Sequence, residues 1–414
     1  MSAIVMDTAA LRATESLPAE RFAAVRREMV LRHCKWDPQV GDVRTLADFA
    51  LVMRRAEWRR MARLAEALAA ETVAAEAELL KRPELWQELG VPRLLSRVLT
   101  GARNAGAAAG GTGRVMRFDF HPRGAAEAGW WVSEVNSDVP GGFAEASAYA
   151  RLMGEALGLE PAGDPGEAVA RMICQRARGG FVGLLCAAGY MEDRQVVTYL
   201  AQRVRACGCS AEQVGLRDLR WRDGEARLRD GRALGVLVRF YQAEWLAQLP
   251  RRYRWQEAIL GGPTVVMNPA PAALTENKAF PLVWDRLRTP METWRRMLPE
   301  TRSLSDAPWR AGEWVLKERY SNNGDSVLAV GEGDLRMWRR AERELRRRPG
   351  AWVAQRRCAV HTVKTPLEPM RPCIGVYVVD GRAAGIYGRL SRGWVVDFAA
   401  TDVAVLLEDD GDGG

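Results

Sequence analysis

Lysine is scarce in this chain, although the chain is basic. Its 414 residues carry 60 Lys and Arg against 52 Asp and Glu, a net charge of +8. Only five of the basic residues are lysines: Lys35, Lys81, Lys278, Lys317 and Lys364. A chain that fills its solvated positions with arginine keeps lysine where a compact ammonium group is needed, and lysine binds phosphate as a point charge. We therefore take Lys278 and Lys317 as candidate phosphate-binding residues, with leftover surface lysines as the alternative.

Histidine and cysteine are also few and scattered. The three histidines, His33, His121 and His361, are too separated in the sequence for a histidine-based metal site. The pair Cys207-Gly-Cys209 lacks a metal-binding spacing and a second cysteine pair. An odd, scattered set of seven cysteines fits a reducing compartment, so we expect a cytoplasmic protein.

Long apolar runs and common nucleotide-binding signatures are missing as well. Nothing approaches the ~20 apolar residues of a membrane span, and the N-terminus lacks the basic and apolar regions of a secretory signal. No GxGxxG or Walker sequence follows a predicted strand, which argues against a nicotinamide or P-loop site. The basic residues are spread along the chain, so nucleic acid is not the expected partner, and anionic small molecules fit the charge equally well.

The most informative stretch is 114–147, which predicts two short strands joined by a loop that contains glycine. Period-2 alternation places Arg117 and Asp119 on one face of the first strand, and Glu134 and Asn136 on one face of the second. If the strands pair, these groups converge, and one metal ion can bridge neighbouring strands about 4.8 Å apart. Two carboxylates and an amide oxygen suit Mg²⁺. The alternative is a surface hairpin with exposed charges.

The other segments differ in pattern. Apolar residues at helical spacing predict one long helix over 46–82, ended by Arg82-Pro83, within a mainly helical scaffold over 1–100. Segment 101–160 holds the hairpin and a helix. Over 161–264, short apolar strands alternate with a helix at 192–206, which predicts an α/β layer with parallel strands. The acidic, glycine-rich segment 401–414 predicts a disordered tail.

Segment 265–400 supplies the downstream candidates. Lys278 precedes an apolar helix predicted at 279–286, and a helix N-terminus favours anions. Lys317 lies in a predicted strand, and the polar loop after it is able to fold over phosphates. Gln355 closes a short apolar strand of the kind that presents backbone groups to an adenine edge. A predicted hairpin over 373–389 ends at Arg389.

Six stretches of the sequence, in this order, resemble the glutathionylspermidine synthetase family, the circularly permuted group within the ATP-grasp ligases. They are MRFDF, SEVNSDVPGGFAEAS, VLVRFYQAEWL, ENKAFPLVW, WVLKERYSNNGDSV and PCIGVYVVDGRAAGIYGR. The resemblance implies a combined α+β and α/β chain. It comprises an ATP-grasp fold like the ATP-binding domain of glutathione synthetase at 265–400, a pre-ATP-grasp α/β layer at 161–264 and the helical N-terminal part.

The resemblance also implies roles for individual residues. The ligands of two Mg²⁺ ions would be Asp119, Glu134 and Asn136. The groups that contact ATP would be Lys278, Lys317, Ser321, Asn322, Asn323, Gly324 and Gln355. The acyl phosphate and the tetrahedral intermediate would be steadied by Arg117 and Arg389. The substrate-binding candidates, taken from the motif that follows Asn136, are Ser137, Asp138, Gly141, Gly142 and Glu145.

The reaction implied by this resemblance is ATP-dependent amide formation from a carboxylate and an amine, with release of ADP and phosphate. The carboxylate is expected on a small molecule or a peptide. Val139-Pro140-Gly141-Gly142 stands where the family has Thr-Pro-Thr-Ser, which predicts a changed substrate. Two alternatives stay open: a non-catalytic ATP-binding scaffold and a basic nucleic-acid-binding protein. No membrane contact is expected, and no pattern predicts a particular oligomeric state.

Overall fold

A computed structural model of the chain describes residues 11–40, 43–104, 113–124, 129–187, 189–320, 326–331, 335–397 and 399–410. Within these ranges a nine-stranded sheet, two four-stranded sheets and two small hairpins combine with helices into a mixed α/β fold.

The strands follow in chain order: β1 (Arg12–Ala13), β2 (Gln39–Val40), β3 (Val43–Arg44), β4 (Leu46–Arg54), β5 (Val115–Pro122), β6 (Trp130–Asn136), β7 (Glu160–Pro161), β8 (Phe181–Cys186), β9 (Ala211–Val214), β10 (Arg220–Arg222), β11 (Glu225–Arg227), β12 (Leu234–Phe240), β13 (Val265–Met267), β14 (Thr301–Ser303), β15 (Trp314–Glu318), β16 (Val327–Ala329), β17 (Trp352–Arg356), β18 (Val363–Lys364), β19 (Pro369–Val379), β20 (Arg382–Ser391) and β21 (Thr401–Glu408).

The α-helices are α1 (Ala19–Arg32), α2 (Arg55–Lys81), α3 (Arg93–Asn104), α4 (Ala150–Leu157), α5 (Pro165–Ala177), α6 (Met191–Ala206), α7 (Ala243–Leu246), α8 (Glu257–Leu260), α9 (Ala272–Thr275), α10 (Glu292–Met297) and α11 (Leu335–Arg347). Short 3₁₀ helices span Pro83–Leu85, Arg251–Tyr253, Phe280–Arg286, Trp309–Ala311 and Pro349–Ala351, and a π-helical turn spans Glu145–Tyr149.

The nine-stranded sheet runs β1-β4-β21-β20-β19-β5-β6, with β7 added to β21 and β18 to β19. Its strand β21 corrects the prediction of a disordered tail over 401–414. β21 lies between β4, which it pairs in parallel, and β20, which it pairs antiparallel. After it, Asp410 accepts a hydrogen bond from the backbone N–H of Ala56 (2.7 Å), in the first turn of α2. Acidic groups are favoured at a helix N-terminus. Residues 401–410 of the predicted tail therefore form a central strand followed by a contact with a helix.

The segment 46–54 is a second correction, because it forms strand β4 and not the start of a long helix. Phe49, Leu51 and Met53 enter the core on one face of the sheet, and Leu46 and Ala50 enter the core on the other. A strand buried on both faces reads as a continuous apolar run, and periodicity alone does not separate such a run from a buried helix. The predicted helical scaffold over 1–100 therefore contributes a strand to the main sheet.

Helix α2 accounts for the rest of that predicted helix. Its buried side chains include Met61, Ala65, Leu68, Thr72 and Leu79, which recur at spacings of three and four and so form one face. That face packs against the nine-stranded sheet, within a core that also contains residues of β5 and β19. The helix ends at Lys81, just before Arg82-Pro83, as the sequence predicts.

The α/β layer contains the parallel strands that the sequence predicts. β8, β9, β12 and β13 form one sheet in the order β13-β12-β8-β9, and each neighbouring pair is parallel. Helix α6 connects β8 to β9, which is the crossover that parallel strands require. The second four-stranded sheet, β14-β17-β15-β16, is antiparallel. No helix within the described ranges is long and apolar enough to cross a membrane.

Candidate active site

The predicted hairpin forms, and its register brings the acidic residues together. β5 and β6 pair antiparallel, with Asp119 opposite Glu134 and Arg117 opposite Asn136. Directly opposed residues on antiparallel strands have side chains on the same face, about 4.5–5.5 Å apart at Cβ. The other face is apolar and belongs to the core, so the polar face is the one available for chemistry. The prediction of a surface hairpin with exposed charges is therefore wrong for this pair of strands.

A register shift follows Asp119, because Phe120 is opposite Val132 and Ser133 is the extra residue of β6. Such a bulge re-aims side chains and is frequent beside active sites. The hydroxyl of Ser133 lies 3.0 Å from Nε2 of His121. The bulge thus keeps Val132 in the core while Glu134 and Asn136 stay on the polar face.

Arg117 and Asp119 form a buried pair at the base of this polar face. Nε and Nη2 of Arg117 donate to the two carboxylate oxygens of Asp119, at 2.8 and 3.0 Å. Nη1 of Arg117 donates to the carbonyl oxygen of Gly141 (2.9 Å), and Nδ2 of Asn136 donates to Oδ2 of Asp119 (3.1 Å). The fork of the guanidinium is therefore held in one orientation, with its geometry fixed by the carboxylate.

The two candidate lysines reach the same polar face from distant parts of the chain. Nζ of Lys278 lies 3.1 Å from Oε2 of Glu134. Nζ of Lys317, on β15, donates to the carbonyl oxygen of Ser133 (3.1 Å). Both side chains are buried. Lys278 precedes the helix Phe280–Arg286, as the sequence predicts, although this helix is of the 3₁₀ type.

The pKa values of these groups show how strongly they interact. Burial alone would raise the pKa of Glu134, but the ammonium groups of Lys278 and Lys317 outweigh it and lower that pKa to about 2. Burial lowers the pKa of Lys317, and Lys278 lowers it further, against the opposing effect of Glu134. For Lys278, Glu134 and Glu276 outweigh burial and raise the pKa. Glu134 is thus ionised at neutral pH, and two cations share one carboxylate.

These residues line a cleft between the nine-stranded sheet and the β14-β17-β15-β16 sheet. Its larger cavity encloses about 130 Å³, and a smaller one of about 30 Å³ shares Ser133, Glu134, Lys317 and Gln355 with it. Gln355, on β17, donates to the hydroxyl of Thr301 (3.2 Å). Arg389, on β20, lines the larger cavity and donates to the carbonyl oxygen of Asp397 (2.7 Å). The cleft therefore gathers predicted residues from both halves of the chain.

The charged residues that line the larger cavity are mainly basic. Asp119 and Glu134 supply its carboxylates, and the basic lining residues are Arg117, Lys317, Arg356, Arg357, Arg371 and Arg389. Such an excess of cations in a cleft attracts polyanions, since walls of low dielectric strengthen the field inside.

Several lining residues were not found from the sequence. His121 lies on the polar face of β5, Arg371 and Cys373 lie on β19, and Trp394 follows β20. His121 could have been predicted, because it follows Asp119 by two residues on the same strand and so shares its face. Arg371 and Cys373 reach the cleft because β19 pairs with β5, which is a long-range contact, and Trp394 depends also on the pairing of β20 with β19.

Gly375, which lies behind the cleft lining, is a further residue that the sequence analysis did not single out. It lies opposite Asp119 in the register of β19 and β5. A Cβ atom at this position would lie 2.7 Å from Cδ of Arg117. An isolated glycine inside a strand pattern often marks a close approach of another group, and here that group is the Arg117 side chain.

The predicted substrate-binding residues lie behind the cleft. Ser137, Asp138 and Glu145 are buried and held by intramolecular contacts. The backbone N–H groups of Ser137 and Asp138 donate to Glu276, the carboxylate of Asp138 pairs with Arg239, and Glu145 pairs with Lys35 at 2.7 Å. Gly141 contributes its carbonyl oxygen to Arg117, and Gly142 has a left-handed backbone (φ +91°) next to Tyr387. These residues pack behind the cleft and support it, and none of them is a lining residue of its two cavities.

Four predicted ATP-contacting residues fall outside the described ranges: Ser321, Asn322, Asn323 and Gly324.

The donor set fits Mg²⁺ by its chemistry. Asp119 and Glu134 are opposed carboxylates, and Asn136 is held through its nitrogen, so its amide oxygen is a further hard donor. In the ranges described, no group of three or more His, Cys, Asp or Glu side chains could hold a metal ion. A metal ion here would therefore need waters or phosphate oxygens as additional ligands, which is the usual arrangement for Mg²⁺.

The architecture is shared with a solved structure. A glutathione synthetase like-effector from Globodera pallida, in apoform, superposes with a TM-score of 0.65 at 11% identity, covering 94% of this chain and 96% of the other. A putative gamma-glutamylcysteine synthetase from Methylobacillus flagellatus gives a TM-score of 0.37 at 10% identity, covering 76% and 83%. The first comparison shows a glutathione synthetase-like fold.

The family follows from the sequence of the whole chain. Residues 35–408 match the family described as glutathionylspermidine synthase preATP-grasp, and the chain belongs to that family. The resemblance noted in the six stretches is thereby confirmed. No curated protein matches the chain.

Proposed function

We propose that the protein is a cytoplasmic ATP-dependent carboxylate–amine ligase with an ATP-grasp arrangement. The nucleotide would lie in the cleft between the nine-stranded sheet and the β14-β17-β15-β16 sheet. One observation carries the proposal: Lys278 and Lys317 meet Glu134 across this cleft, although they come from distant segments. Nothing in the packing of a core calls for two buried ammonium groups beside one carboxylate, whereas a polyphosphate does.

In the proposed reaction, the carboxylate oxygen of one substrate attacks the γ-phosphorus of ATP, and ADP leaves. The neutral amine of the second substrate then attacks the acyl carbon, phosphate leaves as the amide bond forms, and the proton lost by the nitrogen passes to the phosphate or to solvent. Phosphoryl transfer of this kind depends mainly on positioning and on charge stabilisation. Bound Mg²⁺ would supply further positive charge at the phosphate oxygens.

Different residues of the chain would bind the phosphates, the adenine, the reaction intermediates and the metal. Lys278 and Lys317 would hold phosphate oxygens, and Gln355 would lie at the adenine edge. Arg117 and Arg389 would offset the negative charge of the acyl phosphate and of the tetrahedral intermediate. Asp119, Glu134 and Asn136 would hold the metal. Before any substrate binds, Arg117 is oriented by both carboxylate oxygens of Asp119.

One contact favours a second candidate, a non-catalytic ATP-binding scaffold. Both oxygens of Asp119 already accept hydrogen bonds from Arg117. A carboxylate held in this way binds a metal ion only if it shares its oxygens or shifts. The scaffold would bind ATP and release no ADP with any pair of substrates.

The test is ADP release in a screen of carboxylates against amines. We expect turnover with at least one pair, and a loss of 10²–10³-fold in Lys317→Ala, the range measured when one stabilising donor is removed. Asp119→Asn and Glu134→Gln should abolish ADP release while circular dichroism stays unchanged. Lys364→Ala is the matched control, because Lys364 is exposed on the two-residue strand β18.

ATP binding without ADP release across the screen would favour the scaffold. Unchanged turnover in Lys317→Ala or Glu134→Gln would remove the proposed roles of these residues.

A further inference from the structure

A third cavity, outside the cleft, is lined mainly by side chains with hydrogen-bond donors, beside Leu216 and Leu219. It encloses about 450 Å³ on the α/β layer and shares no lining residue with the two cavities of the cleft. Its basic lining residues are Arg217, Arg220, Arg229, Arg252 and Arg254, and its aromatic ones are Trp221 and Tyr253. We call it the Arg217 pocket.

The guanidinium groups of the Arg217 pocket are held close together. Nη2 of Arg217 and Nη2 of Arg252 both donate to the hydroxyl of Tyr253, at 3.2 and 3.4 Å. Nη1 of Arg220 and Nη2 of Arg229 both donate to the backbone carbonyl oxygen of Arg217, at 3.0 and 3.1 Å. Hydrogen bonds from Arg252 and Arg217 lower the pKa of Tyr253. Four cations are thus anchored around two oxygen atoms.

The positive charge of the pocket is only partly balanced. Arg254 pairs with Glu257 at 2.8 Å, and Arg229 lies 3.7 Å from Asp218. Within the described part of the chain, Arg217, Arg220 and Arg252 make no ion pair with a carboxylate. Like charges held this close repel one another, even when solvent weakens the interaction. The arginines of the pocket are exposed, yet they converge in pairs on shared acceptor oxygens.

An unused donor lies in the same wall. The indole N–H of Trp221 is buried and has no hydrogen-bond partner among the described residues. A buried donor without a partner costs about 1–3 kcal/mol, and an acceptor that reached it would recover that cost. The pocket therefore combines cations that have no carboxylate partner among the described residues with an indole side chain, that of Trp221, in its lining.

The position of the pocket fits a ligand site. Arg217 follows the carboxyl end of β9, and Arg252 and Tyr253 follow the helical turn after β12. Ligands of open parallel sheets bind outside the carboxyl ends of the strands. The volume also lies within the range of small-molecule pockets, about 300–1,000 Å³.

We propose that the Arg217 pocket binds a compact polyanion that carries two or more phosphoryl groups, separately from the nucleotide of the cleft. Guanidinium groups recognise phosphate oxygens in pairs, and three of them here have no carboxylate partner among the described residues. An extended polymer such as a nucleic acid would need a continuous basic surface, whereas the uncompensated arginines converge on one concave site.

The test is calorimetric titration with inorganic tripolyphosphate. Lys317→Ala serves as the parent, so that phosphate binding in the cleft is weakened. We expect the double variant Arg217→Ala/Arg252→Ala to lose affinity at least tenfold relative to this parent. Arg251→Ala is the matched control, because Arg251 is exposed in the same helical turn and does not line the pocket. Its affinity should stay within twofold of the parent.

Three results would overturn the proposal. Equal affinity in Arg217→Ala/Arg252→Ala and Arg251→Ala would show that the pocket does not bind the probe. Absence of binding in the parent, with thermal unfolding unchanged from the wild type, would do the same. Tighter binding of a single-stranded oligonucleotide than of tripolyphosphate, weakened equally by Arg222→Ala and Arg251→Ala, would identify an extended partner. None of these results depends on ADP release, so failure here is distinguishable from failure of the ligase proposal.

Discussion

Gly375 lies directly opposite Asp119, and the space left by its missing side chain is filled by Arg117. The Arg117 side chain is 9% exposed and is held by both oxygens of Asp119, so it has little freedom to move aside. The pair at the base of the cleft therefore depends on a residue that carries no functional group.

Gly375→Ala should consequently disturb the cleft. The added Cβ would lie 2.7 Å from Cδ of Arg117, and overpacking of this kind costs about 1–3 kcal/mol. We expect a lower urea midpoint of unfolding and lower ADP release. Gly350→Ala is the control, because a Cβ at Gly350 meets nothing within 4 Å. Equal behaviour of the two variants would contradict the close contact.

The lowered pKa of Glu134 predicts how the free energy of unfolding depends on pH. Its pKa falls from an ordinary value of 4.5 to about 2 in the folded state, against burial, because of Lys278 and Lys317. On acidification the unfolded chain takes up this proton first. The stabilisation is therefore complete above about pH 4.5 and is lost as the pH falls towards 2.

Between pH 6 and pH 3, the wild type should thus lose up to about 2 kcal/mol more of its free energy of unfolding than Glu134→Gln does. Urea unfolding at the two pH values measures the difference, and Glu15→Gln, at an exposed position, should follow the wild type. A pH response of Glu134→Gln identical to that of the wild type would refute the coupling to the lysines.

Lys35 holds a second buried cluster together. Its Nζ lies 2.7 Å from Glu145, 2.9 Å from Asp402 and 3.2 Å from Asp37. Burial alone would lower the pKa of Lys35, but Asp402, Glu145 and Asp37 raise it well above its ordinary value. The ammonium group is therefore the charge that allows three carboxylates to lie together.

Lys35→Met should destabilise the fold by about 3–5 kcal/mol, because it leaves buried carboxylates without a partner. Thermal unfolding measures this effect, and Lys81→Met, at an exposed lysine, should change little. Adding Glu145→Gln to Lys35→Met should recover part of the loss. If the double variant is no more stable than Lys35→Met, the carboxylate cluster is not the cause.

The local part of the site could be predicted from the sequence. Alternation placed Asp119 on one face of its strand and Glu134 on one face of the next, because a period of two is a property of each strand; that the two faces coincide was conditional on strand pairing. The scarcity of lysine pointed to Lys278 and Lys317. The parallel layer followed from short apolar runs separated by a helix.

The remainder depends on contacts that no local pattern contains. Strand β4 is buried on both faces, so its apolar run also fits a helix. Ser137 and Asp138 belong to a motif beside the cleft, but Glu276 and Arg239, from distant segments, turn them inward. Gly375 approaches Arg117 only when β19 pairs with β5, and the same strand carries Arg371 into the lining of the cleft.

The position of β21 bears on how the protein reaches its native state. β4 emerges early during synthesis, yet its parallel partner is made only after more than 340 further residues. Until then β4 and β20 each present an unpaired edge, which is a template for intermolecular pairing. A sheet completed by a strand so distant in sequence forms slowly, because the entropy of closing the long loop is lost before the stabilising contacts form. We therefore expect the nascent chain to need protection from aggregation until β21 is inserted.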